Sequence, residues 1–220
     1  MRVLHVSTSD GGGGAARGAG ALHNELMKQG VDSWMVVSRR VTEMPQVIGP
    51  SGRRGWYGHV LKRRLDQFPL RRYPNRDGAP FSTAWAPGPA LRRARRLKPD
   101  IVHLHWINAG FLRIEDVPRF GVPTVWTLRD MWPFTGGCHY SQSCARYQAG
   151  CGSCPQLASS RTDDLSRTIF QRKAKAWDGA PIAPVAISTW LREEASRSPL
   201  PAFDSVRVIH NAVETSAWRA

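Results

Sequence analysis

Four consecutive glycines, Gly11–Gly14, follow an apolar segment near the start of the chain. Glycine has no Cβ, so a phosphate or sugar can approach the backbone, and a helix that begins there supplies free N–H donors. The pattern fits G-x-G-x-x-G only loosely and lacks Gly-Lys-Ser/Thr, which argues against a Walker-type nucleotide site. A simple turn is the alternative, but it would not require four glycines, which cost backbone entropy. We therefore predict that this loop binds a ligand.

Polar residues also follow an apolar strand pattern at 101–105. Alternation with a period of two places His103 and His105 on one face of that strand. In an open α/β sheet, ligands bind beyond the carboxyl ends of the strands, and His105, Trp106 and Asn108 lie at that end. For His105 and Asn108, a role in a ligand site and a purely structural role are the two alternatives. The deeper His103 is interpreted as a core histidine with satisfied ring nitrogens.

Arg129 and Asp130 end a further strand pattern. The guanidinium of Arg129 could hold an anion with its fork of donors. The carboxylate of Asp130 could orient a hydroxyl group or accept its proton. The alternative is an ion pair between the two side chains that only organises the loop.

All four cysteines of the chain lie between positions 138 and 154, with the spacing C-x5-C-x6-C-x2-C. The last two have the spacing of a metal-binding knuckle. In a reducing compartment this clustering favours a tetrahedral zinc, which would be structural because four thiolates leave no open position. An iron–sulfur cluster and two disulfides are the alternatives. The ligands of the predicted zinc site are Cys138, Cys144, Cys151 and Cys154.

The segment 53–72 is strongly basic and carries large apolar side chains between its basic residues. One interpretation is an interfacial helix on an anionic membrane surface, and another is a solvated basic face. Arginine and aromatic side chains can also bind nucleic acid, but no RRM, KH or zinc-finger pattern is present, so we expect no specific nucleic-acid partner. The apolar side chains are Trp56, Tyr57, Leu61, Leu65 and Phe68.

The composition is that of a globular protein. The chain has 220 residues, of which 41% are hydrophobic and 22% charged, and this excludes a disordered tail, a collagen-like fibre or a simple coiled coil. The net charge of +14 attracts anions such as lipid headgroups, phosphorylated molecules or nucleic acid. The first residues do not resemble a secretory signal, and no window approaches about 18 uninterrupted apolar residues. We expect a cytoplasmic protein that can also bind peripherally to the inner face of the cell membrane.

Strand and helix patterns alternate along most of the chain. This alternation predicts an α/β fold with one Rossmann-like domain and a parallel, doubly wound sheet. Residues 49–98 interrupt the rhythm as a basic insertion, and residues 131–160 form a cysteine-rich loop. The predicted strands are 3–8, 33–37, 101–105, 122–127, 182–187 and 206–210, and the predicted helices are 15–29, one within 53–72, 91–97, 165–177 and 190–196, the last capped by Ser188.

Several segments, taken in order, resemble the N-terminal half of family-4 glycosyltransferases, and most closely the bacterial exopolysaccharide and colanic-acid-type members. These segments are VLHVSTSDGGGGAARGAGALHNEL, PDIVHLHWINAGF, VPTVWTLRDMWPFTGGCHYSQSCARYQAGCGSCPQL, VAISTWL and VIHNAVET. They cover most of the chain except about 49–98. The sequence Trp-Thr-Leu-x-Asp-Met-Trp with its four-cysteine loop is the specific part of the resemblance.

The resemblance implies a GT-B arrangement, in which two Rossmann-like domains face a cleft. The N-terminal domain would bind the acceptor, and the C-terminal domain would bind a nucleotide-sugar such as a UDP- or GDP-sugar. Transfer would retain the anomeric configuration and need no catalytic metal. The residues implied as catalytic are Asp130, Arg129 and His105, those implied for the donor diphosphate or sugar are Gly12, Gly13 and Gly14, and those implied for the acceptor are Asn108 and Trp106.

The chain departs from the family pattern in three places. Arg129 stands where the family usually has a histidine before the aspartate, and the closing turn reads His210-Asn211-Ala212 instead of Pro-Asn-Gly. The sequence stops at Ala220, so we expect residues 1–210 to be the N-terminal domain and 211–220 to begin the interdomain linker. The donor domain would be absent, and the chain alone would be weak or inactive. A donor-domain partner or self-association would then complete the site.

The functional hypothesis is the acceptor-side half of a glycosyltransferase of cell-envelope polysaccharide biosynthesis. It would act with a nucleotide-sugar donor and a polysaccharide or lipid-linked acceptor. The alternative is a non-catalytic Rossmann-like module that binds an anionic lipid or a partner enzyme. Arg129 and the missing half favour the alternative, whereas the glycine loop argues against it.

Overall fold

A seven-stranded parallel sheet forms the centre of the protein, whose computed structural model describes residues 1–212. The spatial order of its strands is β3-β2-β1-β4-β5-β6-β7, which confirms the predicted α/β fold. Strands β1 and β2 are buried on both faces, and this burial explains why they read as apolar runs. The strands are β1 (Arg2–Ser9), β2 (Asp32–Arg39), β3 (Val47–Ile48), β4 (Ile101–Leu104), β5 (Thr124–Leu128), β6 (Ile182–Ala186) and β7 (Arg207–Val208).

Five α-helices accompany the sheet within residues 1–212. Two of them begin at side-chain caps. Asp164 accepts hydrogen bonds from the N–H groups of Ser166 and Arg167, and Ser188 accepts one from Leu191, as its position predicts. No helix of this part of the chain combines the length and the apolar character needed to cross a bilayer. The helices are α1 (Gly14–Lys28), α2 (Gly52–Asp66), α3 (Ala90–Leu97), α4 (Leu165–Trp177) and α5 (Thr189–Ser196).

The basic insertion differs from its prediction in detail. The helix expected within 53–72 ends at Asp66, and a 3-10 helix continues from Phe68 to Arg72, with Pro69 in its first turn. Pro69 lacks the N–H that a continuing α-helix would need. Strand β3 was not predicted, because its two residues at the edge of the sheet are too short to show a period.

An aromatic cluster lies beneath the loop 131–160. The rings of Trp126 and Trp177 meet edge to face with centroids 5.1 Å apart, and Trp132 lies 6.2 Å from Trp177. All three indoles are buried, and such pairs contribute stability beyond their buried area. The loop itself contains only 3-10 turns, as predicted. It is therefore held in place by packing against the core rather than by regular structure of its own.

Candidate functional site

The candidate site lies where three neighbouring strands end. Strands β1, β4 and β5 are adjacent, and the chain crosses from one side of the sheet to the other between β1 and β4. The glycine loop follows β1, Trp106 and Asn108 follow β4, and Arg129 and Asp130 follow β5. Ligands of doubly wound sheets bind at this switch point. The structure thus brings the sequence-predicted polar residues to one edge of the sheet.

The glycine loop leaves the start of α1 open. Gly13 precedes the helix without any side-chain cap, and the first turn carries no acidic residue. A Cβ added at Gly12, Gly13 or Gly14 would meet no atom within 4 Å. The loop is fixed from behind by Asp10, whose carboxylate accepts from the N–H of Val41 at 2.7 Å. The free N–H groups and partial positive charge of this helix end therefore face unoccupied space.

Arg129 lies against α1 and not against its neighbour Asp130. A Cβ at Gly18 would lie 2.7 Å from Nη1 of Arg129, so the guanidinium occupies the room that a side chain there would need. Nη1 donates to Oδ1 of Asn211 at 2.5 Å. Within residues 1–212, no ion pair joins Arg129 to Asp130. Arg129 adds a part-buried positive charge beside the helix that follows the glycine loop.

The ring of His105 is linked to Arg129 and to His5. Nη2 of Arg129 lies 3.3 Å from Nδ1 of His105, and Nε2 of His105 lies 3.0 Å from Nδ1 of His5. A guanidinium can only donate, so Nδ1 of His105 accepts and the proton of the neutral ring is on Nε2. His105 then donates to His5. His105 is buried and both of its nitrogens are engaged, so it positions Arg129 rather than facing a ligand.

These histidines are held neutral. Burial, followed by the charges of His103, His5 and Arg129, lowers the pKa of His105 well below its ordinary value. Burial and the Arg129 charge lower the pKa of His103 to about 4. Nε2 of His103 bonds to the Thr127 hydroxyl at 2.8 Å, but His103 is only part-buried whereas His105 is buried, so the prediction that His103 lies deeper was wrong. His5, His103 and His105 therefore form an uncharged polar chain between β1 and β4.

The same histidines meet a geometric condition for metal binding. In the described part of the chain, His5, His103 and His105 are the one set of three metal-ligating side chains with ligand atoms within 4.8 Å of each other. The guanidinium of Arg129 adjoins this set and donates to it. A bound cation would be repelled by that charge and would displace the His105–His5 hydrogen bond. We therefore describe the set as a hydrogen-bonded chain.

Ser82, His139 and Asp130 form a second series of hydrogen bonds. Nδ1 of His139 lies 2.6 Å from Oδ2 of Asp130, and its Nε2 lies 2.9 Å from the Ser82 hydroxyl. A carboxylate accepts only, so Nδ1 carries a proton, and Nε2 of the neutral ring can accept from a hydroxyl group. This is the connectivity of a serine–histidine–aspartate triad, in which the carboxylate fixes the ring orientation. Neither Ser82 nor His139 was assigned a role from the sequence.

Trp106 and Asn108 hold this edge of the sheet together. The indole N–H of Trp106 donates to Oδ2 of Asp130 at 2.9 Å, so it fixes the carboxylate that orients His139. The backbone oxygens of Trp106 and Asn108 accept from the N–H and the hydroxyl of Thr8. Asn108 is buried, and its Oδ1 has no hydrogen-bond partner within residues 1–212.

Ser82 and His139 line a pocket of about 370 Å³. The pocket lies between α2 and the segment that follows β4, and the ring of Trp106 forms part of its wall. Arg63 and Arg76 line the same pocket, and so does the buried Asp66. An aromatic face, a hydroxyl and an imidazole beside two cations suit a sugar that carries a negative group.

The four predicted metal ligands lie together. All four thiols are free and line one small cavity under the loop 131–160.

On α2 and the 3-10 helix that follows it, large apolar side chains point to solvent with about half of their surface exposed. Four of these side chains, Tyr57, Leu61, Leu65 and Phe68, are spaced by three or four residues, which places them on one helical face. These exposed side chains, the apolar stripe, are Trp56, Tyr57, Leu61, Leu65 and Phe68.

Comparison with known proteins gives two matches. A family profile described as Glycosyltransferase Family 4 matches residues 12–217. The chain is also similar, with 28% identity over 175 residues, to a protein of Escherichia coli (strain K12) that is named as a colanic acid biosynthesis glycosyl transferase, WcaC. The aligned region is 71% of this chain and 40% of that relative. The chain thus spans less than half the length of the curated relative that it matches.

Proposed function

Because the chain belongs to glycosyltransferase family 4, we propose that it forms the acceptor-side half of an enzyme that transfers a sugar from a nucleotide-sugar. The acceptor is a polysaccharide or a lipid-linked saccharide, and transfer retains the anomeric configuration. The observation that carries the proposal is the uncapped start of α1, with Arg129 against the same helix at Gly18, at the edge of the sheet that also carries the pocket lined by Ser82 and His139. An anion and a hydroxyl-bearing ligand would bind side by side there.

The electrostatics suit a leaving diphosphate. The N-terminus of α1 supplies unpaired N–H donors, and the Arg129 guanidinium lies against the same helix. Both are fixed before any ligand binds, because Asp10 holds the glycine loop and His105 and Asn211 hold Arg129. Preorganised donors aimed at a developing negative charge are a large source of rate enhancement. The donor half of the complete enzyme would hold the rest of the nucleotide-sugar.

The pocket suits the acceptor. Trp106 lines the pocket and would supply a face on which a sugar ring can stack. The Ser82 hydroxyl, which bonds to Nε2 of His139 in this structure, would turn aside so that Nε2 can bind the attacking hydroxyl group. Arg63 and Arg76 would hold a phosphate or carboxylate of the acceptor. In this proposal Asp130 and Trp106 act as positioning residues. Asp130 contacts His139, and Trp106 contacts Asp130.

Substitution of Gly13 tests the donor side of this proposal. The φ of Gly13 is −150°, and a Cβ there would meet no atom within 4 Å, so Gly13→Val leaves the fold unstrained. The valine side chain would occupy the space through which a phosphate approaches the helix. We expect calorimetric titration with UDP-, GDP- and ADP-sugars to give a dissociation constant of about 1 mM for the best donor, and binding at least tenfold weaker in the variant.

Gly58→Val is the matched control, because Gly58 is also a glycine with open space around its Cβ position but lies on α2. It is expected to bind the donor as the unsubstituted chain does. Donor binding that survives Gly13→Val unchanged would remove the glycine loop from the donor site. No binding by any protein of the series would favour the alternative of a non-catalytic module.

We further propose that α2 binds the anionic surface of a membrane. The apolar stripe lies on α2 and the 3-10 helix that follows it, among basic side chains, and exposed apolar groups beside several positive charges suit an anionic membrane surface. The pocket for the acceptor includes residues of α2. A lipid-linked acceptor bound there would have its lipid close to the membrane and its sugar close to His139.

Vesicle flotation tests the membrane surface. The protein is expected to float with vesicles that contain phosphatidylglycerol and to remain behind with pure phosphatidylcholine, because each basic side chain near an anionic surface contributes about 1 kcal/mol. The double variant Leu61→Ser, Leu65→Ser should bind about tenfold more weakly, since it removes inserted apolar surface. Leu22→Ser, which alters an exposed leucine on α1, is the matched control and should bind normally. Equal binding to both kinds of vesicle would contradict the proposal.

A further inference from the structure

We propose that Cys138, Cys144, Cys151 and Cys154 together bind one structural zinc ion. The four thiols line a single cavity enclosed by the loop 131–160 and the start of α4, and no disulfide joins them within residues 1–212. Four cysteine sulfurs form the ligand set that zinc takes in closed, structural sites. The inference does not depend on the proposed function, because it rests only on the thiols and their surroundings.

The backbone around the last two cysteines has the strained form of a ligand-binding turn. Cys151, Gly152 and Ser153 have φ values of 64°, 99° and 44°, so three successive residues occupy the left-handed region. Two of them are not glycine, and such strain persists where the surroundings impose it, often at ligand sites. Gly152 cannot be replaced, because a Cβ there would lie 2.3 Å from the carbonyl oxygen of Thr162. The turn directs both sulfurs to the same cavity.

Main-chain donors face two of the sulfurs. The N–H groups of Gln156 and Leu157 face Sγ of Cys154, and the N–H of Gly136 faces Sγ of Cys151. Gly136 permits this approach because a Cβ at that position would lie 2.8 Å from Sγ of Cys151. Burial outweighs these donors and raises the pKa of both thiols, so the thiolate, which is the form that binds a metal, would need the charge of the ion itself.

The fully buried amine of Lys173 lies close to the cavity, and burial lowers its pKa to about 7. Nζ of Lys173 donates to the carbonyl oxygens of Thr135 and Trp132 and lies 3.7 Å from the Trp132 ring centroid. No carboxylate forms an ion pair with it in the part of the chain that the structure describes. Its charge is attracted by thiolates at Cys138 and Cys151. Zinc with four thiolates has a net charge of −2, so a buried cation beside it balances part of that charge.

The site would close further when it binds the ion. Within residues 1–212, no three of the cysteine sulfurs lie within 4.8 Å of each other, whereas a zinc–sulfur bond of about 2.3 Å requires sulfurs roughly 3.8 Å apart. The loop has no α-helix or β-strand that would oppose such a shift, only short 3-10 helices. Closure would also fix His139, which follows Cys138 directly and belongs to the acceptor pocket.

Metal analysis of the whole chain tests the inference. Protein purified without chelator is expected to contain about one zinc per chain by mass spectrometry, and Cys154→Ser should contain less than about a fifth of that. Ser141→Ala is the matched control, because Ser141 lines the same cavity without offering a ligand. In the unsubstituted chain, replacement of zinc by cobalt should give the strong absorption of tetrahedral thiolate coordination, a readout that remains if the variant fails to fold.

Thiol titration separates the alternatives. A zinc site predicts four thiols that react slowly in the native protein until a chelator is added and react fully under denaturing conditions, whereas two disulfides predict no reactive thiol under either condition until a reductant is added. Removal of zinc should lower the melting temperature by about 10 °C or more, because binding free energy of a structural metal is folding free energy. Less than a tenth of an equivalent of zinc, an iron chromophore, or disulfides in freshly purified protein would each overturn the inference.

Discussion

Replacement of Asp130 by asparagine is expected to slow sugar transfer by about 10³-fold with little change in KM. Oδ2 of Asp130 accepts from Nδ1 of His139 and from the indole N–H of Trp106. Oδ1 accepts from the N–H of Trp132. Asparagine has a single oxygen, so its amide N–H₂ would face donors that now have no acceptor. The His139 ring would turn or exchange its tautomer, and Nε2 would no longer bind the attacking hydroxyl.

The rate is measured as kcat and KM of the chain joined to a donor-side half, with a panel of nucleotide-sugars. Nitrogen NMR of the His139 ring in the chain alone reports the tautomer independently of any activity. Asp116→Asn is the matched control, because Asp116 is a buried carboxylate paired with Arg113 and Arg119 away from the pocket. It should transfer sugar at a normal rate. Transfer by Asp130→Asn within threefold of the unsubstituted enzyme would show that the His139–Asp130 pair only stabilises the loop.

The order of strands and helices could be read from the sequence because parallel strands are buried on both faces. Val3–Val6 and the strand at 182–186 stand out as apolar runs, and glycine or proline marks the turns between elements. The ends of the insertion's helix and the two-residue strand β3 could not be read in this way. Both are determined by packing against neighbours that are distant in sequence.

The edge of the sheet that carries the site was also predictable, since ligands of this fold bind at the carboxyl ends of the strands. The pairing of Ser82 with His139 was not. A single antiparallel bridge between Phe81 and Cys138 brings these residues together across more than fifty positions. Ser82 lies in the segment 49–98, which has no period. No local feature of the sequence indicated that contact.

For two adjacent residues the sequence left open an alternative that the structure does not show. Arg129 and Asp130 follow each other at the end of β5, and an ion pair between them was a natural alternative. Successive residues of an extended chain point to opposite sides, so Arg129 meets α1 and Asp130 meets His139. Their separate roles follow from that geometry. The pairing of His105 with His5 likewise required the register of β1 against β4, in which His5 lies opposite His103.

Acidification from pH 6.5 to pH 4 is expected to destabilise the fold by about 3 kcal/mol through His103 alone. Its pKa is lowered from 6.5 to about 4 in the folded chain, by burial and by the Arg129 charge. Between these values the unfolded chain binds a proton that the folded chain refuses, so stability falls as the pH falls. His5 and His105 add to the loss, because burial and then the neighbouring His103 lower the pKa values of both. The groups that face this set are His23 of α1, Arg129 and the Thr127 hydroxyl.

The free energy of unfolding in urea, measured at several pH values between 4 and 7.5, checks this expectation. His103→Asn keeps a donor and an acceptor for Thr127 but cannot bind a proton, so its stability should depend less on pH by about 3 kcal/mol over the range. His210→Gln, at an exposed histidine, is the matched control and should run parallel to the unsubstituted chain. Carboxylates that titrate near pH 4 affect all three proteins equally, so the difference between curves isolates the histidine. Parallel curves for His103→Asn and the unsubstituted chain would mean that His103 has the same pKa in the folded and the unfolded chain, and that the edge of the sheet beside Arg129 is more hydrated than its contacts indicate.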